Sequence, residues 1–303
     1  MIMHRKPNAN RNLSLKAINP AKLFLATLAV PLAVFLLAAP QRAAADPTPA
    51  AVAGFDAYVT QLETRLARQH VAADGFLAPF DIARVRGGEV VIEQVTPASG
   101  ANFPGAMLYH WRGTAFASGA RAADLEHLLR DYGRYPQLYA PQVVTAKVLA
   151  QDGNHFQTML RVSQKHVITV VLDTSYDIQF FPASAKDANA AAHGYNISHS
   201  THITEIADPG TPTEHALDSE HEHGFLWRLN TYWSWEERDG GLYMQIETVT
   251  LTRSVPAGLA WAIGPFVQSI PRESIEFTLS ATANALRHQP HGTVSPVPDR
   301  TTP

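Results

Sequence analysis

The sequence contains no cysteine. That absence excludes disulfide frameworks, thiolate metal sites, iron–sulfur clusters, a thiol nucleophile and a lipid-modified cysteine anchor. Several enzyme fingerprints are missing as well. There is no G-x-S-x-G elbow, no G-x-x-x-x-G-K-[ST] phosphate loop and no G-x-G-x-x-G dinucleotide turn. Charged residues make up only 17% of the 303 residues, and none before Asp46 is acidic.

That acid-free leader carries Arg5, Lys6, Arg11, Lys16, Lys22 and Arg42, with an apolar run from Leu23 to Ala39 and the small residues Ala43, Ala44 and Ala45 just before Asp46. The pattern predicts a secretory signal peptide over 1–45, cleaved after Ala45, and a periplasmic or secreted mature protein. The run contains Pro31 and is shorter than the ~20 residues a membrane span needs, so no stable anchor is expected after cleavage. The mature chain keeps all 27 Asp and Glu against 18 of the 24 Lys and Arg, a formal charge of −9. Without a basic stripe it is a poor partner for nucleic acid, and equally for anionic lipid surfaces.

What is present is ordinary globular composition, 46% hydrophobic with 18 Gly and 21 Pro. Residues 46–53 read as a Pro/Ala linker, after which Phe55, Tyr58, Val59, Leu62 and Leu66 recur at helical spacing. Strands are predicted over Glu89–Val95 and Ala106–Ser118, then a short helix over Ala122–Arg130 that ends at Gly133 and Pro136. Further strands are predicted at Val143–Gln151, Phe156–Ser163, Val167–Phe181 and Tyr195–Ile206. A loop is expected at Ala183–Ala192, and Pro209–His223 is polar without periodicity. A break at Gly264-Pro265 should precede a last helix from Pro271 to about Arg287, and 289–303, with four prolines, reads as a frayed tail. Consecutive strands closed by a terminal helix indicate an α+β protein rather than a doubly wound sheet.

Asp239-Gly240 between two apolar runs is a strong two-residue hairpin signal. With those residues at the turn centre, Trp235 faces Met244, Trp233 faces Ile246, Tyr232 faces Glu247 and Trp227 faces Thr252. One face then carries Trp227, Leu229, Thr231, Trp233 and Trp235; the other carries Arg228, Asn230, Tyr232, Glu247 and Arg253. If the polar face points inward, an Arg228–Glu247 pair near Tyr232 would hold the head of an amphipathic ligand, since unpaired buried charge is costly. If it is a solvent-facing ladder, the tryptophan face lines the interior.

Three segments carry a resemblance to a known family. They are Asp131-Tyr132-Gly133-Arg134-Tyr135-Pro136 with its preceding helix, the block Gly224–Trp233, and Thr250–Pro256 leading into Pro265–Ser274. In them the chain resembles the START-like (SRPBCC) superfamily, in an exported bacterial branch, over roughly residues 54–288. The resemblance implies a helix-grip fold: a curved antiparallel sheet wrapped around a long C-terminal helix, with an N-terminal helix and a ligand cavity between sheet and C-terminal helix. It implies a hydrophobic or amphipathic small-molecule partner, such as a lipid, terpenoid or polyketide, for a monomeric carrier, buffer or sensor. A cyclase/aromatase- or hydrolase-type enzyme using the same cavity, and an envelope interaction protein with a filled core, are the alternatives.

Candidate ligand-binding residues are Arg228, Asn230, Tyr232, Trp233, Trp235, Glu247 and Arg253, with Ser274 and Thr278 from the small-residue surface of the last helix. No catalytic residue is assigned, although Asp131, Asp173, Asp177 and Glu247 are acid–base candidates by type. Two histidine clusters, His193/His199/His202 and His215/His221/His223, match no standard metal motif, and neither metal nor cofactor is expected. Arg86-Gly87-Gly88 is too short to cradle a phosphate.

Overall fold

The computed structural model describes residues 46–72, 75–96, 101–165, 169–182, 192–254 and 260–288, with the backbone alone over 260–268. The predicted signal peptide, most of the 183–192 loop and the 289–303 tail lie outside the described residues.

Helix α1 spans Pro49–His70, so most of the residues read as linker form its first turns. The start is fixed by Thr48, whose side chain accepts from the Ala51 amide at 3.2 Å, and by Pro49 in the first turn, where a missing N–H costs nothing. Ala51, Phe55, Leu62 and Leu66 form its buried stripe. A one-turn helix α2 (Ile82–Arg86) follows, which the sequence pattern does not announce.

The strands are β1 (Val91–Gln94), β2 (Ala101–Phe103), β3 (Ala106–Ser118), β4 (Val143–Asp152), β5 (His155–Lys165), β6 (Thr169–Phe181), β7 (His193–Ala207), β8 (His215–Ala216), β9 (Arg228–Arg238) and β10 (Gly241–Arg253). Helix α3 (Ala122–Arg130) and the short α4 (Tyr135–Leu138) link β3 to β4. The main path runs β1-β3-β10-β9-β7-β6-β5-β4, antiparallel throughout, with β2 added to β3 and β8 to β7. The predicted hairpin register holds from Gly241↔Arg238 to Leu251↔Arg228. Asp239 and Gly240 both have positive φ, 56° and 75°, as a type I′ turn requires.

Helix α5 runs unbroken from Ala260 to Arg287, passing through Gly264, Pro265 and Pro271. The expected break and restart at Pro271 are therefore absent. Ile275, Leu279, Ala283 and Leu286 bury one side of α5 against the sheet. Such packing outweighs the roughly 3 kcal/mol local cost of an interior proline. The result is an α+β helix-grip arrangement: a curved antiparallel sheet, α5 on one face and α1 on the other.

Candidate ligand-binding interior

The sheet separates the predicted site residues. Trp233 and Trp235 join Met244, Ile246, Ile275 and Leu279 in the core beneath α5. Ser274 and Thr278 lie half-buried on α5, on either side of Ile275 in sequence. Alternation sends Arg228, Asn230, Tyr232, Glu247 and Arg253 to the opposite face, where Tyr232 packs with Phe55, Leu62 and Leu66 of α1. Of the two orientations left open, the tryptophan face is the interior, but the polar face is covered by α1 instead of forming a ladder in solvent. Trp227 departs from its expected side. It precedes the start of β9, escapes the strand's alternation and packs in the α1 cluster with Leu251.

The polar face is a riveted helix–sheet joint. Glu247, 2% exposed, accepts from Arg65 of α1 at 2.5 Å and from His110 Nε2 at 2.8 Å, and Arg112 Nε lies 3.2 Å away. The expected Arg228–Glu247 pair does not form; Arg228 donates to the Trp227 carbonyl at 2.9 Å. Burial pushes the Glu247 carboxyl up, but the His110 hydrogen bond and the Arg112 and Arg65 guanidiniums outweigh it and hold the group well below the usual carboxylate range. The Tyr58 hydroxyl lies 3.0 Å from His110 Nδ1. Further along, Tyr232 donates to Glu63 at 2.9 Å, and His199 meets the same oxygen at 2.6 Å. Burial and then the Glu63 charge push the Tyr232 phenol far up. His70 pairs with Ser234 at 2.9 Å, and Gln245 bonds both the N–H and the carbonyl of Ala78. Arg65, Glu63 and His110 are the partners of the polar face that the sequence reading missed. The visible clue is that Arg65 and Glu63 flank Leu62 and Leu66 on a helix whose stripe must face something.

The inner face is built differently. Cross-strand partners define rows running from β3 toward β5. One row contains Gly113, Ile246, Trp233, Asn196 and Phe180. The next contains Trp111, Thr248, Thr231, Ser198, Ile178 and Phe156. Beyond it stand Tyr109 with Thr250, and Ser200 with Tyr176 and Thr158. Among the described residues, five buried polar atoms on this face have no hydrogen-bond partner: Trp111 Nε1, Trp235 Nε1, Asn196 Oδ1, Thr158 Oγ1 and Thr250 Oγ1. Helix α5 packs tightly on Gly113, where a Cβ would stand 2.4 Å from Ile275 Cγ2. At the far side, the buried Tyr139 hydroxyl reaches Thr282 of α5 at 2.9 Å, and burial raises its phenol to about 12.

The clustered histidines go to separate partners: His199 to Glu63, His202 to Thr204, His215 to the Thr213 carbonyl, His221 to Asp218, and His223 to Glu205. Among the described residues no three His, Asp or Glu side chains converge as a metal site. Glu205, 4% exposed, also accepts the amides of His223, Gly224 and Phe225, which ties the end of the 209–223 segment to β7. The Gly87 and Gly88 amides bond the Ala83 and Val85 carbonyls, capping α2.

Neither a protein-family model nor a curated protein matches the sequence. Among solved structures the chain is similar to a STAR-related lipid transfer protein from Xanthomonas axonopodis, at 17% identity over 66% of this chain and 99% of that one, TM-score 0.40. It is also similar to a START superfamily protein from Mycobacterium smegmatis, at 15% identity over 58% of this chain and 96% of that one, TM-score 0.38. A di-domain ARO/CYC protein, BexL, is similar at 13% identity over 77% of this chain and 61% of that one, TM-score 0.42.

Proposed function

We propose that the mature chain binds a hydrophobic or amphipathic small molecule between the inner sheet face and α5, and serves as an exported, monomeric carrier, buffer or sensor. The observation that carries this reading is the set of five unpartnered buried polar atoms on an otherwise apolar and aromatic face. Burying such atoms without partners costs about 1–3 kcal/mol each, so a fold retains them where something meets them. Apolar lining supplies affinity at about 0.8 kcal/mol per buried CH₂, and the polar atoms orient what enters.

Binding is favoured over turnover by where the acid–base groups lie. Glu247 is engaged under α1, Asp173 is held by Arg161 at 2.7 Å, and Asp177 pairs with His155 at 2.9 Å, all on the face away from α5. Export rests on the leader sequence, whose cleavage after Ala45 would leave α1 whole. The test is native mass spectrometry of mature protein purified from its own host envelope, followed by organic extraction. A stoichiometric lipid, terpenoid or polyketide supports the reading. An apo mass with no thermal shift across a panel of such compounds refutes it in favour of a filled core.

A further inference from the structure

Which kind of small molecule fits follows from what surrounds the unpartnered atoms. The two indole N–H groups of Trp111 and Trp235 can only donate, and Asn196 Oδ1 can only accept. Thr158 and Thr250 hydroxyls do either. Thr248, Thr231 and Ser198 extend the hydroxyl lining across neighbouring strands, about 4.8 Å apart. A molecule that satisfies this lining offers both an acceptor and a donor, as an alcohol or hydroxy-ketone does.

Among the described residues the lining carries no free charge to meet an ionised headgroup. On β3, β9 and β10 the charged residues Arg112, Arg228, Glu236, Glu247 and Arg253 alternate onto the α1 face, as do Arg161, Asp173 and Asp177 on β5 and β6. The two acidic residues whose alternation falls on the inner side are already engaged at its ends. Glu237 accepts the Ala122 amide at the start of α3, and Glu205 accepts the amides of 223–225. Arg130, near the aromatic edge, is held by Glu126 and Asn154. On α5, Arg272, Glu273, Glu276 and Arg287 are exposed, and the sequence between Arg253 and Arg272 contains no ionisable residue. An anion placed against this face would lose its hydration with no cation to replace it.

Resting on the reading of the interior as a binding site, we infer that its ligand is an uncharged, oxygen-bearing hydrophobe, a hydroxylated or carbonyl-bearing lipid or polycycle, and not a fatty-acid anion or a phospholipid headgroup. Ordered water can meet the same polar atoms in unliganded protein; a ligand oxygen takes its place.

The experiment uses the mature full chain and matched probes that differ only in charge: 1-hexadecanol against hexadecanoate, a monoacylglycerol against the lysophosphatidate of the same acyl chain, and cholesterol against cholesterol sulfate. Binding is read by tryptophan fluorescence and native mass spectrometry at neutral pH. The inference expects the neutral member of at least one pair to bind at least about tenfold tighter than its anionic counterpart. Asn196→Leu and Thr158→Val should each weaken the neutral oxygenated probe by about three- to tenfold while leaving a plain hydrocarbon of equal length unchanged. Anionic members that bind as tightly or tighter overturn the neutral-ligand inference and leave the binding reading standing. Failure of every probe, hydrocarbon included, overturns both. The matched pairs use unaltered protein, so the result does not depend on either variant folding.

Discussion

Arg65 on the N-terminal helix donates to Glu247 on the last strand at 2.5 Å, across 182 residues of sequence. The two ends of the fold are thereby clamped through a carboxylate that is only 3% exposed in its side chain. Glu247→Gln leaves the Arg112 guanidinium, 13% exposed, facing a neutral amide. Breaking a buried pair in this way costs about 3–5 kcal/mol, so the urea midpoint should fall accordingly. Arg65→Met, which removes the more exposed partner, should cost clearly less. Affinity for any interior ligand should stay within a few-fold in both variants, because the residues lie across the sheet from α5. Loss of activity or binding without loss of stability in Glu247→Gln would contradict this placement.

His70 gives the joint a pH dependence. It stacks on Phe76, 4.7 Å away, and packs at a tilt against Tyr195, 4.0 Å away, and burial lowers its imidazole to about 4 from an ordinary 6.5. A depressed folded pKa means that the unfolded chain binds the extra proton first. The stabilisation is therefore complete above about pH 6.5 and is lost as pH falls toward 4, amounting to at most about 3 kcal/mol. Unfolding free energies measured from pH 7 to 4 should fall through that window. The slope should flatten in His70→Gln, and an unchanged slope would reject the assignment. Glu247, also depressed, acts in the same direction but at lower pH, since its contribution is complete above the ordinary carboxylate range.

Much of this architecture was legible because it is local. Strict alternation from Arg228 to Glu236, together with Asp239-Gly240, determines a hairpin register that the structure reproduces pair by pair. The pairing of Glu247 was not legible. Its partners Arg65 and His110 lie on α1 and β3: the packing of α1 onto the outer face brings Arg65 near, and the pairing of β3 with β10 brings His110. Helix boundaries failed for a related reason. Pro271 and Gly264-Pro265 are local stop signals, and contacts made by Ile275, Leu279 and Leu286 with a distant sheet override them. Asn196 and Thr158 attracted no notice as single polar residues in apolar strands; their importance depends on lacking partners in three dimensions.

The proposed cleavage after Ala45 can be tested against the start of α1. Thr48 caps α1, and Ala51 is fully buried, so an N-terminus beyond Thr48 removes the cap and frays the first turn. Intact-mass measurement of protein from the producing cell should place the first residue at Asp46. Thr48→Ala should lower stability by about 1 kcal/mol, a typical cap loss. A mature mass that retains the leader would refute cleavage after Ala45.

Gly113 sets how closely α5 approaches the sheet. A Cβ there would lie 2.4 Å from Ile275 Cγ2 and 2.7 Å from Leu279 Cδ1, both on buried side chains. Leu279 can turn its terminal methyl aside, but the Ile275 methyl sits on a β-branched Cβ with little χ1 freedom in a helix. Relief therefore requires movement of α5 itself. Gly113→Ala should destabilise by about 1–3 kcal/mol through overpacking, and Ile275→Ala by about 2–5 kcal/mol through the cavity it leaves. In the double variant the new methyl occupies the space the isoleucine vacates, so the combined loss measured by urea unfolding should be smaller than the sum of the two. Simple additivity would mean that α5 does not rest on Gly113.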